Sequence, residues 1–296
     1  MKKASIFDFF LLIFLAIIWG SAFFNIKIAS LSYTPLTIAL GRVFFAGLLL
    51  IPYCYVKKIS ISFIGKEWKL LAAIGLINLA LPFFFISYGI FKVQSNTAAI
   101  LMSTAPIFAT VLGHFYTKNE KNSYLNSAGI FIGFAGIVYL FSDNLLINNS
   151  NIFSAIIIIL GPLCYVLGGL LTLKLSNKKN EDVTTSILIW GFIFLLPITC
   201  IIEKPWNLNP DFNSTISLVY LGFVPTAFAW LLRFYVLKKN GLVFQSQVAY
   251  LIPIFGLLFG YLFLDEIITY KIVLSLIAVL LGIYLVERSK YGKSDQ

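Results

Sequence analysis

Arg42 is the charged residue whose place in the sequence most clearly points to chemistry. It lies in the apolar segment 36–56, about six residues and therefore roughly 9 Å from the nearer end of a helix that rises 1.5 Å per residue. An arginine at the membrane centre costs about 2.5–3.5 kcal/mol on translocon scales, so its guanidinium must meet a partner or water. Its fork of N–H donors suits a substrate carboxylate. Snorkelling to the surface and bonds to backbone carbonyls are the alternative interpretations.

Uncharged polar side chains form a second group of candidates within apolar segments. Such groups usually face the interior of a helix bundle, because lipid offers them no hydrogen bond. They are Asn78, Asn96, Thr97, Ser103, Gln245 and Gln247. The sequence leaves open whether they bind a substrate or neighbouring helices.

Residues for bond-making chemistry or metal binding are scarce. The chain has one histidine, His114, and three cysteines without metal-ligand spacing. An integral-membrane enzyme would need a cluster of such groups, so it is a remote alternative, and we expect no catalytic residue, metal or cofactor. All 12 acidic residues fall at or beyond the ends of apolar segments. This favours facilitated diffusion or exchange, with weak coupling through His114 or Glu266 as the alternative.

Composition places these residues in an all-helical integral membrane protein. Of 296 residues, 59% are hydrophobic and 11% charged, and the mean hydropathy is +0.92; soluble proteins carry about 25% charged residues. A membrane-spanning helix needs about 20 mainly apolar residues. Ten segments approach or reach this length: 7–26, 36–56, 68–90, 95–116, 125–141, 152–173, 184–202, 215–236, 243–264 and 271–286.

Lysine and arginine are distributed unevenly between the connecting segments. If the N-terminus is cytoplasmic, 16 of them lie inside and 4 outside. The positive-inside rule therefore predicts a multi-pass protein of the cytoplasmic membrane with both termini cytoplasmic. The inside segments also explain the net charge of +10, so the expected partners are a small molecule and the lipid bilayer, and not nucleic acid. Arg233, close to Lys238 and Lys239, is interpreted as a snorkelling residue.

A diverged internal repeat relates the two halves of the chain. The stretch 71–120 has a diverged copy at 218–266, in which a shift of 147 positions aligns Gly75 with Gly222, Tyr88 with Tyr235 and Pro106 with Pro253. Five helices per half is an odd number, so the halves enter the membrane from opposite sides, which is typical of secondary transporters. We expect repeats at 1–142 and 150–287, a cytoplasmic tail at 288–296, and one pocket opened alternately to either face.

Pro106 and Pro253 lie near the middle of the fourth and ninth segments. A proline inside a helix frees a backbone carbonyl and kinks the helix, and in lipid that carbonyl needs a partner or a wet cavity. Their recurrence in both halves predicts kinks that shape a central cavity. A simple packing kink is the alternative.

The chain resembles the EamA-type transporters of the drug/metabolite transporter superfamily over essentially its whole length. The resemblance rests on Trp19-Gly20-Ser21, on Ala39 to Arg42, on Ala98-Ala99 through Pro106 to Glu120, and on Tyr250 to Pro253 through Glu266. It implies ten transmembrane helices in a 5+5 inverted repeat. Helices 1–4 and 6–9 would surround a central cavity, with 5 and 10 as scaffold. It also implies transport of metabolites such as amino acids, commonly outward.

The resemblance and the repeat together single out four aromatic residues for the cavity walls. They are Trp19, Tyr88, Tyr250 and Tyr165, the last being the helix-6 counterpart of Trp19. Amphipathic rings suit an organic substrate with apolar and polar parts. The leading interpretation is export or exchange of small amphipathic metabolites, with amino acids or related compounds first. Facilitated uptake or antiport of another metabolite is the alternative, and the oligomeric state is open, a monomer included.

Overall fold

Helices follow the apolar segments of the sequence. The computed structural model describes residues 5–105, 107–108, 112, 124–141, 149–175, 177–233, 235–236, 239 and 248–291. The helices are α1 (Ile6–Ala29), α2 (Pro35–Val56), α3 (Trp68–Ile90), α4 (Ser95–Met102), α5 (Tyr124–Phe141), α6 (Asn149–Thr172), α7 (Asn180–Ile202), α8 (Phe212–Arg233), α9 (Val248–Leu264) and α10 (Tyr270–Tyr291).

Length and hydropathy confirm a polytopic helical membrane protein. Within the described ranges, α1, α2, α3, α6, α7 and α8 are long and apolar enough to cross a membrane. Shorter apolar stretches lie in α5, α9 and α10. The count of ten crossings stays a prediction. Pro253 lies inside α9, whereas Pro106 is outside the described residues.

Among the described residues, two helices contain a stretch of π-helix, a geometry that is frequent at functional sites. These stretches are Leu76–Ala80 in α3 and Gly222–Phe228 in α8. Pro225 has no backbone N–H and so leaves the carbonyl of Leu221 without its usual partner. The hydroxyl of Thr226 donates to that carbonyl at 2.7 Å. A side chain thus contributes a hydrogen bond at the point where proline removes one.

Glycines allow close packing between helices that lack a hydrophobic driving force for association. A Cβ on Gly282 of α10 would lie 2.7 Å from the backbone nitrogen of Gly133 in α5. A Cβ on Gly20 of α1 would lie 2.7 Å from the Cβ of Phe255 in α9. These positions therefore accept only glycine at the present separation. Further contacts join α2 to α7, α3 to α6 and α1 to α8.

Acidic side chains cap helices at one end of the bundle, which we call the carboxylate-cap end and define by Glu203, Asp211 and Glu266. Glu203 accepts hydrogen bonds from the backbone of Leu36 and Thr37 at the start of α2, at 3.0 and 2.7 Å. Asp211 caps α8 and also accepts a bond from Ser32. These hydrogen bonds, that from Ser32 first, hold the pKa of Asp211 well below its ordinary value.

Glu266 is the most buried of these caps, at 7% exposure. Its carboxylate accepts bonds from the backbone nitrogens of Ser95 and Asn96 at the start of α4. Nearby, the ammonium of Lys27 donates to the carbonyls of Ile90 and Val93, at 2.8 and 3.2 Å. A negative charge at the start of a helix and a positive charge at its end both interact favourably with the helix dipole.

The opposite end of the bundle is joined by ion pairs and a carboxylate clamp. Lys239 pairs with Asp8 at 2.7 Å, and Lys178 with Glu67 at 3.1 Å. Asp182 accepts bonds from the backbone nitrogen and hydroxyl of Ser62, at 2.8 and 2.6 Å. The loop between α2 and α3 is thereby tied to the start of α7.

We predict that Glu266→Gln lowers the thermal unfolding midpoint in detergent by several degrees. The amide keeps the shape of the side chain but loses the charge, and hydrogen bonds to a charged group contribute about 1.5–3 kcal/mol each. Asp265→Asn is the matched control, because it removes one charge from the neighbouring exposed position. Equal midpoints for the two variants would show that the cap contributes nothing.

Candidate functional site

A cavity of about 230 Å³ lies between α1, α2, α3, α4, α6, α8 and α9. Small-molecule pockets are typically about 300–1,000 Å³ for drug-sized ligands, so this one suits a smaller metabolite. Most of its lining is apolar: Ala22, Phe23, Ile26, Phe83, Ile86, Met102, Ala105, Pro225, Trp230 and Ile252. Its polar and amphipathic lining comprises Trp19, Arg42, Asn78, Ser103, Tyr165 and Arg233.

The structure brings together five of the sequence-predicted site residues at this cavity: Trp19, Arg42, Asn78, Ser103 and Tyr165. They come from α1, α2, α3, the end of α4 and α6, although up to 146 positions separate them in the sequence. Their role in binding stays a prediction, but their convergence is a property of the fold.

Tyr88 and Asn96 differ from the prediction, because neither is among the residues that line the cavity. Tyr88 is 37% exposed and its ring lies 5.8 Å from that of Phe84, on the same helix. Asn96 is fully buried at the start of α4, where its backbone nitrogen donates to Glu266 at 3.0 Å. The first therefore lies at the surface of the bundle, and the second belongs to a helix cap.

For several further residues singled out in the sequence, the structure describes no side chain. Gln245, Pro106 and His114 lie outside the described residues, and so does the side chain of Tyr250. Pro253 follows Ile252, which does line the cavity. The second predicted kink is thus adjacent to the wall in sequence.

Arg42 enters the cavity from α2 with 5% of its surface exposed. Its guanidinium carbon lies 3.8 Å from the centroid of the Phe83 ring, which is cation–π geometry. Nε and Nη2 both donate to the hydroxyl oxygen of Thr226, at 3.4 Å each, which is long for a hydrogen bond. An arginine has five N–H donors. These neutral neighbours leave most of its donor capacity available to a ligand.

Trp19 and Asn78, from the first half of the chain, both contact residues of the second half. The indole nitrogen of Trp19 donates to the carbonyl of Pro225 at 3.2 Å, so it bonds directly to the π-helical stretch of α8. A Cβ on Gly168 of α6 would lie 2.7 Å from the Cβ of Asn78. Gly168 thus makes room for Asn78 in the π-helical stretch of α3.

Arg233 is the main site residue that sequence reasoning missed. It lines the cavity, and its guanidinium carbon lies 5.0 Å from the Trp230 ring centroid. Its Nε is buried and has no hydrogen-bond partner among the described residues. Snorkelling would place the charged head at the end of the bundle, whereas the structure places it at the cavity. The repeat held a signal, because the shift of 147 pairs Trp230 with Phe83, the neighbour of Arg42.

A bundle of membrane-spanning helices around a mostly apolar cavity with a few convergent polar groups is the architecture of a membrane transport protein. The model of the EamA-like transporter family matches residues 7–142 and 152–288, and the chain belongs to that family. Family membership indicates a transporter rather than an enzyme.

The names of similar proteins also indicate a membrane transporter. The chain is 27% identical to the uncharacterized transporter YoaV of Bacillus subtilis, over 93% of this chain and 94% of that protein. It is 25% identical to the uncharacterized inner membrane transporter YedA of Escherichia coli, over 94% and 89%. One solved crystal structure superimposes with a TM-score of 0.68 at 14% identity, covering 93% of this chain and 94% of that one, and this likeness shows the fold alone.

We predict that a cysteine at position 103 reacts with a small hydrophilic thiol reagent, whereas one at position 87 does not. Ser103 lines the cavity, while Ser87 is fully buried in α3 and does not line it. The test uses Ser103→Cys and Ser87→Cys in a background with Cys54, Cys164 and Cys200 replaced by alanine. Mass spectrometry measures the labelled fraction. Equal protection of both positions would mean that water does not reach the cavity.

Proposed function

We propose that this protein carries small amphipathic metabolites, amino acids or related compounds first, across the cytoplasmic membrane by alternating access. Transport runs as export or exchange. The observation that carries the proposal is the cavity itself, because both predicted halves supply its walls. The family and the relatives support a membrane transporter in general.

An inverted repeat of two five-helix halves supports alternating access. The two π-helical stretches lie at equivalent positions, since a shift of 147 carries Leu76–Ala80 into Gly222–Phe228. The family model also matches the chain twice, once in each half. A local irregularity that recurs in both halves favours descent from one ancestral unit.

Helix contacts support the same relation at atomic detail. A Cβ on Gly75 of α3 would lie 2.8 Å from the carbonyl oxygen of Ile187 and 2.8 Å from the Cβ of Trp190, both in α7. The glycine therefore packs against the carbonyl of one residue of α7 and against the side chain of the residue three positions later in that helix.

The second half repeats this contact with the roles of the halves exchanged. A Cβ on Gly222 of α8 would lie 3.1 Å from the carbonyl oxygen of Arg42 and 2.3 Å from the Cβ of Phe45, both in α2. Again the contacts are one carbonyl and the side chain three residues later. The packed helix pairs show the same relation between the halves. The contact of α1 with α8 corresponds to that of α6 with α3, and the contact of α2 with α8 corresponds to that of α7 with α3.

The cavity is lined by corresponding residues from the two halves. Phe83 and Trp230 are related by the shift of 147, as are Asn78 and Pro225. A site on the pseudo-two-fold axis can be exposed to either side when the two halves exchange conformations. This is the simplest physical basis for moving one ligand across the membrane.

The carboxylate-cap end joins the two halves in the present conformation. Glu203 and Glu266 of the second half cap α2 and α4 of the first, and Asp211 bonds to Ser32. In the predicted orientation this end faces outside. Opening the cavity to the outside would therefore require these bonds to break.

Coupling to protons or sodium has no candidate carboxylate at the cavity. None of the described lining residues is acidic, and the buried acids Asp8, Asp182 and Glu266 lie at helix ends. An uncoupled carrier follows the gradient of its substrate. Facilitated uptake or antiport by the same fold is accordingly the alternative.

We predict that purified protein in proteoliposomes catalyses counterflow of a small metabolite, and that Arg42→Ala and Trp19→Ala lower its rate. A lost charged hydrogen bond of about 1.5–3 kcal/mol corresponds to roughly 10- to 100-fold in affinity. Arg288→Ala and Trp206→Ala are the matched controls at exposed positions. A panel of amino acids, nucleosides and amines, screened first by thermal shift, supplies the substrate. Undiminished counterflow in both cavity variants would remove the site from the mechanism.

The topology has its own test in whole cells. We predict that Asn207→Cys is labelled by an impermeant maleimide and Lys57→Cys is not, since both are exposed but fall on opposite predicted sides. Reporter fusions should place both termini in the cytoplasm. Termini on opposite faces would mean an odd number of crossings, and the inverted repeat would fail.

A further inference from the structure

We propose that the cavity selects organic acids with a net negative charge, whose anionic group binds between Arg42 and Arg233 beside the hydroxyl of Tyr165. This inference rests on the proposed function and narrows its substrate class from amino acids and related compounds in general to their acidic members. Small carboxylic acids and acidic amino acids belong to the class. Neutral zwitterions and amines do not.

Two arginines contribute positive charge to the same cavity. Arg42 reaches it from α2 and Arg233 from the end of α8. Tyr165 of α6 lines the same cavity. The three side chains therefore surround one region, with two cations and a phenol that can donate a hydrogen bond.

No acidic side chain balances these charges in the part of the cavity that the structure describes. All 16 lining residues are neutral or basic. The ion pairs found among the described residues, Lys239 with Asp8 and Lys178 with Glu67, lie at the opposite end from the carboxylate caps. Buried charges in membrane proteins normally pair with each other or with backbone carbonyls, and they often mark the path of a substrate. An anionic ligand is the missing partner that this geometry fits.

The hydrogen-bond inventory points the same way. Arg42 makes its described bonds only to the hydroxyl of Thr226, and that hydroxyl already donates to the carbonyl of Leu221. The Nε of Arg233 is buried without a described partner. Arginine binds carboxylates through two parallel N–H bonds, which adds geometric specificity to the charge attraction. Both guanidinium groups therefore have N–H donors that a carboxylate ligand can bind.

Aromatic and aliphatic side chains accommodate the rest of the ligand. Phe83 and Trp230 lie against the two guanidinium groups, and Phe23 and Ile26 extend the apolar wall. Such faces favour a short hydrocarbon body. The rings of Phe83 and Trp230 already face guanidinium groups, and the two positive charges repel an ammonium group, so a positive group on the ligand is disfavoured.

The experiment measures binding to the purified full chain in nanodiscs by tryptophan fluorescence, because Trp19 and Trp230 line the cavity. The probes share related short carbon skeletons: 4-methylpentanoate is an anion, glutarate a dianion, leucine a zwitterion and 3-methylbutylamine a cation. We expect both carboxylates to bind at least about tenfold more tightly than leucine or the amine. Equal affinity for 4-methylpentanoate and leucine, or no binding of either carboxylate, would overturn the proposal.

Variants test the two anchors separately. Arg233→Gln and Arg42→Gln should each weaken carboxylate binding by roughly tenfold or more, while Arg233→Lys keeps part of the affinity through its charge. Arg288→Gln, at an exposed position, should bind as the wild type does. Wild-type carboxylate affinity in Arg233→Gln would show that Arg233 is not an anchor.

A labelling experiment with both arginines intact covers the case in which these variants do not fold. In the cysteine-free background, Ser103→Cys should react faster with sulfonatoethyl methanethiosulfonate, relative to the trimethylammonium reagent, than the exposed Trp206→Cys does. The same ratio at both positions would overturn the positive cavity. Carboxylate binding without counterflow would reject the proposed carrier function and keep the anion site. Counterflow of leucine that Arg233→Gln leaves unchanged would keep the carrier function and reject the anion site.

Discussion

Every polar group inside a membrane protein must find its partner within the protein, because the hydrocarbon offers none. This constraint explains most of the polar side chains in the described bundle. Thr226 satisfies the carbonyl that Pro225 leaves free, Glu266 satisfies the nitrogens that open α4, and Lys27 satisfies carbonyls at the end of α3. Polar groups without such a partner are therefore exceptional. The buried Nε of Arg233 has no partner among the described residues, and Arg42 bonds only to the hydroxyl of Thr226.

The same constraint shapes how helices can move against each other. Where glycine brings two backbones together, as at Gly75 and Gly222, a larger residue would force the helices apart. The two contacts join α3 to α7 and α8 to α2, and both adjoin a π-helical stretch that faces the cavity. Tight backbone contact limits motion to sliding or rocking of whole helices. Under the proposed inverted repeat, equivalent contacts in the two halves would allow two conformations that the pseudo-two-fold axis relates.

The helices and the class of helical membrane protein could be predicted from the sequence, because the length of the apolar segments alone specifies them. Arg42 and Trp19 could also be found, since a charge or a large polar ring stands out in an apolar helix. Tyr88 was misjudged for a physical reason. The repeat pairs it with Tyr235, and both side chains are exposed, at 37% and 49%. A recurring residue keeps its helix face in both halves, and that face need not be the cavity face.

Arg233 escaped sequence analysis because its distance along the chain from Lys238 and Lys239 gives no information about its depth. A π-helical stretch bonds each residue five positions back rather than four, so it changes the face on which later residues lie. Gly222–Phe228 precedes Trp230 and Arg233 in this way. Ideal helical periodicity applied to 212–233 therefore gives the wrong face for the last turn. Irregular backbone of this kind depends on tertiary contacts and is not specified by local sequence.

Charge in the cavity also bears on how the proposed carrier would cycle. Closing the site removes water, and electrostatic interactions strengthen as the local dielectric constant falls. An empty closed cavity would hold Arg42 and Arg233 with no acidic side chain among the described lining residues, whereas a bound anion would compensate them. The loaded carrier would thus reorient more easily than the empty one. A carrier with that asymmetry exchanges one anion for another faster than it moves a single anion and returns empty, so the arrangement of charges favours exchange as the mode of transport.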